Sequence, residues 1–252
     1  MDKNQIKEFN KYMNFKIIQK NHNNYNPDEN NKKYLVIMAC HCDSEIKLNA
    51  IKNNLKYFSF SNMDKVVINS TNLPYNPVVA DNCIRYKNMK YYEIENTKLA
   101  DFGKWVYVLE NLVDYNLYNY IILTNDSFII HNSINHFFNL IFKYNLDLYG
   151  YTDSSEIKYH YQSYLFGLRK EVIPIFLNNI NSSKEKINCF WDVVLNYEVN
   201  ICDWFKNMKT FLNIGNFDFN KNKNIFFNND QLYLPLKNTE LLPFTKIKRI
   251  KL

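Results

Sequence analysis

What this 252-residue chain lacks narrows its class before any motif is weighed. It has no apolar run long enough to cross a bilayer, so no transmembrane segment is expected. Its five cysteines form no ligand set: Cys40 and Cys42 flank His41, while Cys83, Cys189 and Cys202 stand alone. Structural zinc would need a second closely spaced pair. The odd count and the absence of a signal-peptide pattern lead us to expect free thiols and a cytoplasmic setting. No internal repeat is visible, and glycine is scarce, at 4 residues. No recognised nucleic-acid module accompanies the net charge of +6, so no nucleic acid is expected as a partner. The charge suits anionic ligands in general, including phosphorylated metabolites. Its lysine runs, Lys32-Lys33 and Lys246 through Lys251, read as solvated tails. Aromatics are plentiful instead: 20 Tyr and 19 Phe must largely pack or bind something.

The pattern along the chain divides it into three. Residues 1–33 read as an appendage, with Ile6, Phe9, Met13 and Ile17 at helical spacing before a polar segment. Residues 34–215 read as one α/β domain, and 216–252 as a C-terminal extension packing on it. The domain opens on Tyr34-Leu35-Val36-Ile37-Met38-Ala39, the unbroken apolar run of a strand buried on both faces. Further strands are expected at Lys65–Ile68, Lys90–Ile94, Tyr120–Leu123, Phe128–Ile130, Leu146–Tyr151 and Ser163–Leu168. Helical spacing marks Phe102, Trp105, Leu109 and Leu112, and again Ile134, Phe137, Phe138, Ile141 and Phe142. Alternation of this kind predicts βαβ units and a mainly parallel sheet flanked by helices. Four apolar runs end in polar clusters, beginning at Cys40, Asn69, Thr124 and Thr152. A shared rim explains all four, and ligands of open α/β sheets bind at such a rim.

The most pointed cluster is Thr124-Asn125-Asp126-Ser127, where a buried strand delivers one carboxylate to the rim. Asn125-Asp126-Ser127 also reads as an ordinary turn, because these residue types bond their own backbone. His41 and Asn69 stand at the first two strand ends, where a ligand bound at this rim would meet them. Farther on, Ser182-Ser183-Lys184-Glu185 has the capping-box pattern and predicts a long helix. On that helix Trp191, Val194, Ile201 and Phe205 share a face with Glu198. A carboxylate in an apolar stripe is paired, protonated or facing a cavity where it does chemistry. The alternative is a break near Tyr197 that turns Glu198 to solvent.

Four segments in order carry a family likeness: Asp101-Phe102-Gly103-Lys104-Trp105, Ile121 through Ser127, Gly150-Tyr151-Thr152-Asp153-Ser154, and His160-Tyr161-Gln162-Ser163-Tyr164. Together they resemble rhamnan synthesis protein F, a family of glycosyltransferase-like proteins in polysaccharide assembly. The resemblance runs from Tyr34 to Gly215 and implies a GT-A fold, a Rossmann-like nucleotide-diphospho-sugar transferase. It makes Thr124-Asn125-Asp126 look like a DxD motif with its first Asp replaced, and Asp126 the residue that coordinates Mg²⁺ or Mn²⁺. Leu165 through Lys170 resembles the strand that floors the acceptor site. Tyr197-Glu198-Val199 lies where related inverting enzymes carry their catalytic acidic residue. Asp101, Lys104 and Asn125 fall within the motifs as substrate-binding candidates, although Asp101 also reads as a helix cap and Trp105 as core. Gln162 would bond sugar hydroxyls, and His41 and Asn69 would contact the base or ribose. His160 would complete the metal site or touch donor phosphates, or else serve as a hydrogen-bonded structural histidine among tyrosines.

The implied chemistry is transfer of a sugar such as rhamnose from a UDP-, dTDP- or GDP-sugar to a glycan or glycoprotein acceptor. A hard cation neutralises the departing diphosphate. A carboxylate, Glu198 first and Asp153 second, takes the acceptor proton. The incomplete DxD keeps a second reading open, a catalytically silent nucleotide-sugar or glycan-binding domain of a larger assembly.

Overall fold

The computed structural model describes residues 33–58, 63–131, 133–134, 137–138, 145–154, 157–208, 210–212 and 244–247. The expected N-terminal helix, and most of the helix expected from Ile134 to Phe142, lie outside the described residues.

The unbroken apolar run is β1 (Tyr34–Cys40), and all seven of its residues are buried. Burial at every position requires cover on both faces of the sheet, and alternate side chains go to opposite sides. Tyr34, Val36, Met38 and Cys40 join one core cluster, while Leu35, Ile37 and Ala39 join the other. The first cluster lies under α1 (Glu45–Tyr57) and α2 (Asn76–Ile84), through Leu48, Ile51, Leu55, Val79 and Cys83. The second lies under α3 (Ala100–Asn111) and α4 (Ile173–Ser183), through Phe102, Trp105, Val108, Phe176 and Ile180. Much of the aromatic content is packed here: Trp105 meets Phe102 and Phe166 edge to face, and Tyr34 stacks on Tyr120.

The remaining strands are β2 (Met63–Ser70), β3 (Met89–Ile94), β4 (Tyr120–Asn125), β5 (Phe128–Ile130), β6 (Leu148–Gly150), β7 (Asp153–Ser154), β8 (His160–Tyr161), β9 (Leu165–Arg169), β10 (Thr210–Leu212) and β11 (Phe244–Lys246). Seven of the strands make one sheet in the order β10-β6-β9-β4-β1-β2-β3. β9 runs antiparallel to β4 and β6, and every other pairing is parallel. This is the mainly parallel, helix-flanked α/β sheet expected from the sequence. Two flips of direction across β9 leave β6 parallel to β4, so β1, β2, β4 and β6 end on one edge. The four polar clusters therefore do share a rim. β5 and β11 pair antiparallel, and β7 and β8 form a two-stranded ribbon. Among the described residues no helix is long and apolar enough to cross a membrane.

The C-terminal third of the domain departs from expectation. Ser182-Ser183 closes α4 instead of opening a helix: Ser183 Oγ donates back to the Asn179 carbonyl at 2.7 Å. Pro174 in the first turn and the Ile173, Phe176, Ile180 spacing start that helix earlier. The predicted long helix is three short pieces, α5 (Phe190–Val193), a π-turn at Val194–Glu198 and α6 (Ile201–Trp204). The capping box is at Cys189 and Asp192, whose carboxylate accepts the Asn188 and Cys189 N–H groups.

Candidate active site

β1 pairs with β2 on one side and with β4 on the other. Connections leaving in opposite directions open a crevice beyond the carboxyl ends of β1 and β4, the usual ligand position of such sheets. Register decides which residues stand there, because Cys40 is level with Asn69 and Ala39 with Asn125. His41 and Asp126 are the first residues past their strands, and they meet. The His41 N–H donates to Asp126 Oδ2 at 2.7 Å. The carbonyl of the same peptide group, that of Cys40, accepts from Lys104 Nζ at 2.6 Å. A trans peptide sends its two polar atoms to opposite sides. Ammonium and carboxylate are therefore bridged through one peptide group instead of paired directly.

The next residues are held as firmly. The His41 carbonyl accepts from Lys47 Nζ at 2.7 Å, and Lys47 pairs with Asp43 at 3.1 Å. His41 Nδ1 lies 2.8 Å from Ser70 Oγ. Cys42 N–H donates to Asn69 Oδ1 at 3.1 Å, and Asn69 Nδ2 donates to Asn76 Oδ1 at 2.7 Å. Asn69 thus holds the rim together from inside, fully buried. Burial pushes the Asp126 carboxyl above its ordinary range, against the pull of Lys47, the His41 N–H and Lys104. Burial, then Lys47 and Lys104, lowers the His41 imidazole, which is neutral at neutral pH.

The DxD-like motif is arranged around one carboxylate. Thr124 Oγ1 turns away and donates to the Tyr164 carbonyl at 2.9 Å. Asn125 Oδ1 accepts from Ser127 N–H and Oγ at 3.0 and 2.6 Å, so the turn reading of this stretch holds alongside its place at the crevice. Asn125 Nδ2 donates to Asp101 Oδ2 at 2.9 Å. Asp101 is not a cap: it lies in the first turn of α3, whose N-cap is Leu99. The helix starts at Ala100, which takes a positive φ of 50°, and this leaves the Asp101 side chain to meet Asn125. Gly103 is needed beside it, because a Cβ there would stand 2.5 Å from Thr97 Oγ1 and 3.0 Å from Leu99 Cβ. Trp105 is core, fully buried, with its indole N–H on the Thr124 carbonyl at 3.1 Å.

These donors do not fit a cation held by the protein. Among the described residues no group of three or more His, Cys, Asp or Glu side chains could hold a metal ion. Thr124 points away, the Asn125 oxygen is engaged, and the single carboxylate of Asp126 lies within the field of two lysines.

A second cluster forms where β6 ends and β9 begins. Thr124 is level with Leu165, which sets residues 162–164 against the end of β4. Tyr164 OH lies 2.5 Å from Thr152 Oγ1, which donates to Gln162 Oε1 at 2.8 Å. Gln162 N–H donates to the Thr152 carbonyl at 2.9 Å. Asp153 and His160 lie buried in the ribbon, level with Tyr161 and Ser154. His160 Nδ1 lies 2.7 Å from the Lys158 carbonyl, and Lys158 is itself paired with Asp203. Gly150 lets Tyr161 close over β6, since a Cβ there would stand 2.5 Å from the Tyr161 ring.

Glu198 reaches this cluster by a different route from the one its spacing predicts. The Val199 N–H bonds back five residues, to the Val194 carbonyl, at 2.9 Å. The wider turn changes the phase: Val193, Tyr197, Ile201 and Phe205 are buried, whereas Trp191 is 64% exposed. Glu198 is half-buried, and its Oε1 accepts the Ser163 N–H at 3.4 Å. π-turns recur at functional sites because they re-aim a side chain.

The structure gathers Asp126, His41, Lys104, Asn125 and Asp101 at the first cluster, and Gln162, Asp153, His160 and Glu198 at or beside the second. Thr124 and Tyr164 join the two. Sequence reading missed Lys47 and Ser70. The Asp43 to Lys47 spacing of four was the available signal for the lysine; Ser70, one residue past Asn69, had none.

No protein-family model and no curated protein matches the chain. Among solved structures, S. aureus TarS 1-349 is similar at TM-score 0.49 and 9% identity, over 71% of this chain and 57% of that one. The glycosyltransferase GlyE of Streptococcus pneumoniae TIGR4 is similar at TM-score 0.47 and 10% identity, over 72% of this chain and 45% of that one. HddC from Yersinia pseudotuberculosis is similar at TM-score 0.47 and 13% identity, over 73% and 91%. The chain spans about half the length of the first two. TarS 1-349 has also been solved in complex with UDP. At these low scores the likeness says nothing of substrate or activity, which must rest on the site itself.

Proposed function

We propose that the chain is a glycosyltransferase of GT-A type that binds a nucleotide-diphosphate sugar at the carboxyl ends of β1 and β4. It passes the sugar to a hydroxyl of a glycan or glycoprotein. The observation that carries this reading is the Cys40–His41 peptide group, fixed between Lys104 and Asp126 at the switch point of the sheet. Such a rigid, charged, largely dry crevice suits a diphosphate, because fixed dipoles and charges act strongly where water is excluded. The four motifs that resemble rhamnan synthesis protein F supply its walls, and they make rhamnose the first sugar to test.

In the transfer step the acceptor oxygen bonds to the anomeric carbon as the bond from that carbon to the diphosphate oxygen breaks. The diphosphate leaves with the electron pair. Glu198 takes the acceptor proton, and attack opposite the leaving group inverts the anomeric centre. Its contact with Ser163 supports this role, because it sets a half-buried carboxylate beside the Thr152, Gln162 and Tyr164 cluster. Asp153 is the second candidate. The expected divalent cation has no support in the donor set of the described residues.

A thermal-shift screen with UDP-, dTDP- and GDP-sugars tests the reading, since selective binding raises apparent stability by mass action. Stabilisation by one of them, followed by transfer to an oligosaccharide acceptor, is the expected result. Stabilisation by none would end the proposal. Thr124 in the first DxD position favours one second reading, a nucleotide-sugar or glycan-binding domain without catalysis. Donor hydrolysis in the absence of acceptor separates the two, because only a catalyst releases the nucleotide.

A further inference from the structure

Among the described residues Lys104 is a buried charge that the fold does not explain. It stands at the edge of the buried side of α3, one turn before Val108, and it is 1% exposed. An ammonium taken out of water is costly unless it is paired and hydrogen-bonded. Among the described residues no carboxylate forms an ion pair with it: the lysine ion pairs are Lys47 with Asp43 and Lys158 with Asp203. Among the described residues its one hydrogen-bond partner is the Cys40 carbonyl, for three N–H donors. Asp126, on the far side of the same peptide group, lies within its field, and Asp101 stands one turn earlier on α3.

That arrangement makes little sense as a device for stability. Replacing a buried charge by an apolar side chain of similar volume is often neutral or stabilising. It makes sense if the missing partner is a ligand, because the carbonyl that anchors Lys104 is the last of β1, at the lip of the crevice. Lys47, the other cation at this lip, is already paired with Asp43. A divalent cation would need oxygens that the motif does not offer, and it would sit close to a fixed ammonium that repels it.

Resting on the nucleotide-sugar reading, we propose that Lys104 is the cation that meets the donor diphosphate, and that donor binding needs no divalent metal. Lys104 is 1% exposed and bonded to the Cys40 carbonyl in the free chain, so its spare N–H donors turn to the diphosphate oxygens as the donor enters, and its charge balances theirs as the bond to the sugar breaks. The structure thereby resolves the defect in the DxD motif: with the charge supplied from α3, a second carboxylate at position 124 has no metal to hold, and threonine is free to pin β9.

Calorimetry on the full chain tests this with UDP, dTDP and GDP as probes, in EDTA and again with Mn²⁺. The expected result is that one nucleotide binds in EDTA and that Mn²⁺ changes its affinity less than about threefold. Lys104→Met, which keeps the volume and removes the charge, should weaken that nucleotide about tenfold to a hundredfold, the usual worth of a charged hydrogen bond. It should leave the weaker binding of the parent nucleoside, which has no diphosphate, unchanged. Lys104→Gln should behave the same way, and thermal melts of both variants check the fold. Binding that vanishes in EDTA and returns with Mn²⁺ overturns the proposal without any variant and leaves the nucleotide-sugar reading intact. Unchanged nucleotide affinity in a folded Lys104→Met chain overturns it too and makes Lys104 structural. If no nucleotide binds under either condition, the nucleotide-sugar reading fails and takes this proposal with it.

Discussion

The two halves of the crevice are built by different means. Around β1 and β4, residues 40–42, 69 and 124–127 are fixed by strand register and by hydrogen bonds mostly between 2.6 and 3.1 Å. Beside β9, Glu198 hangs on a π-turn between two four-residue helices and touches its neighbour through one bond of 3.4 Å. A sheet fixes position cooperatively, because each strand is held by two others. A short helical link is held mainly by the side chains beneath it and opens at lower free energy. On the proposed function the rigid half meets the donor, and the compliant half the acceptor.

Breaking the compliant half should give the largest effect. Glu198→Gln keeps the shape and the Ser163 contact but removes the proton acceptor. Transfer should fall by about two to four orders of magnitude, the scale of general-base catalysis, while donor affinity survives. Single-turnover kinetics beside nucleotide calorimetry would check it. A wild-type rate would make Glu198 structural and bring Asp153 forward. Loss of donor affinity as well would move the residue into the rigid half.

Asp126→Ala attacks the rigid half. The His41 N–H loses its acceptor and Lys104 its compensating charge. The fold should persist, and donor affinity should fall by about tenfold or more, as when a buried polar group is left unsatisfied. Equal affinity in a folded variant would return Asn125-Asp126-Ser127 to being a turn and nothing else.

Gly150→Ala sharpens the comparison from the packing side. Its Cβ would stand 2.5 Å from the Tyr161 ring, so the ribbon carrying Asp153 and His160 must shift. Overpacking of this kind costs about 1–3 kcal/mol, readable as a lowered Tm. Transfer should suffer more than nucleotide binding, because β1 and β4 stay in place.

The smallest effect concerns pH. The His41 imidazole is held below its ordinary pKa of 6.5 in the folded chain, so the unfolded chain binds the proton first as pH falls. Stability should therefore drop as pH falls through about 6.5 and level off below the folded value. His41→Asn should flatten, but not abolish, that slope in thermal melts between about pH 7.5 and about pH 5.5, because His131 is lowered by burial as well. An unchanged slope would show that the imidazole is not coupled to the fold.

Legibility in the sequence followed the same division. The strands β1, β2 and β4 could be read from apolar runs, and their polar ends from the residues that break those runs, because burial on both faces leaves a continuous signal. Placing His41 and Asp126 at one rim followed from the strand pattern alone. α4 was missed because Ser182-Ser183-Lys184-Glu185 looks like a helix start, although the same serines can close a helix by bonding back to Asn179. Of the two readings of Glu198, the shared apolar stripe fails and an interruption near Tyr197 is found, because periodicity assumes 3.6 residues per turn and a π-turn adds one residue without a mark in composition. The cap reading of Asp101, one of two the sequence allows, fails because the positive φ at Ala100 is a local cost that only surrounding packing can impose.

By itself, then, the sequence determined the alternation of strands and helices, the mainly parallel sheet and the polar edge on which four strands end, all of which depend on local burial patterns and their periods. Only the tertiary structure decided that Lys104 and Asp126 grip one peptide group from opposite sides, that Thr124 faces β9 and not the crevice, and that Glu198 meets Ser163. Those contacts join residues 35 to 85 positions apart along the chain. Such pairings follow from the order of the strands and from how α3 and the π-turn pack on the sheet, which long-range packing sets.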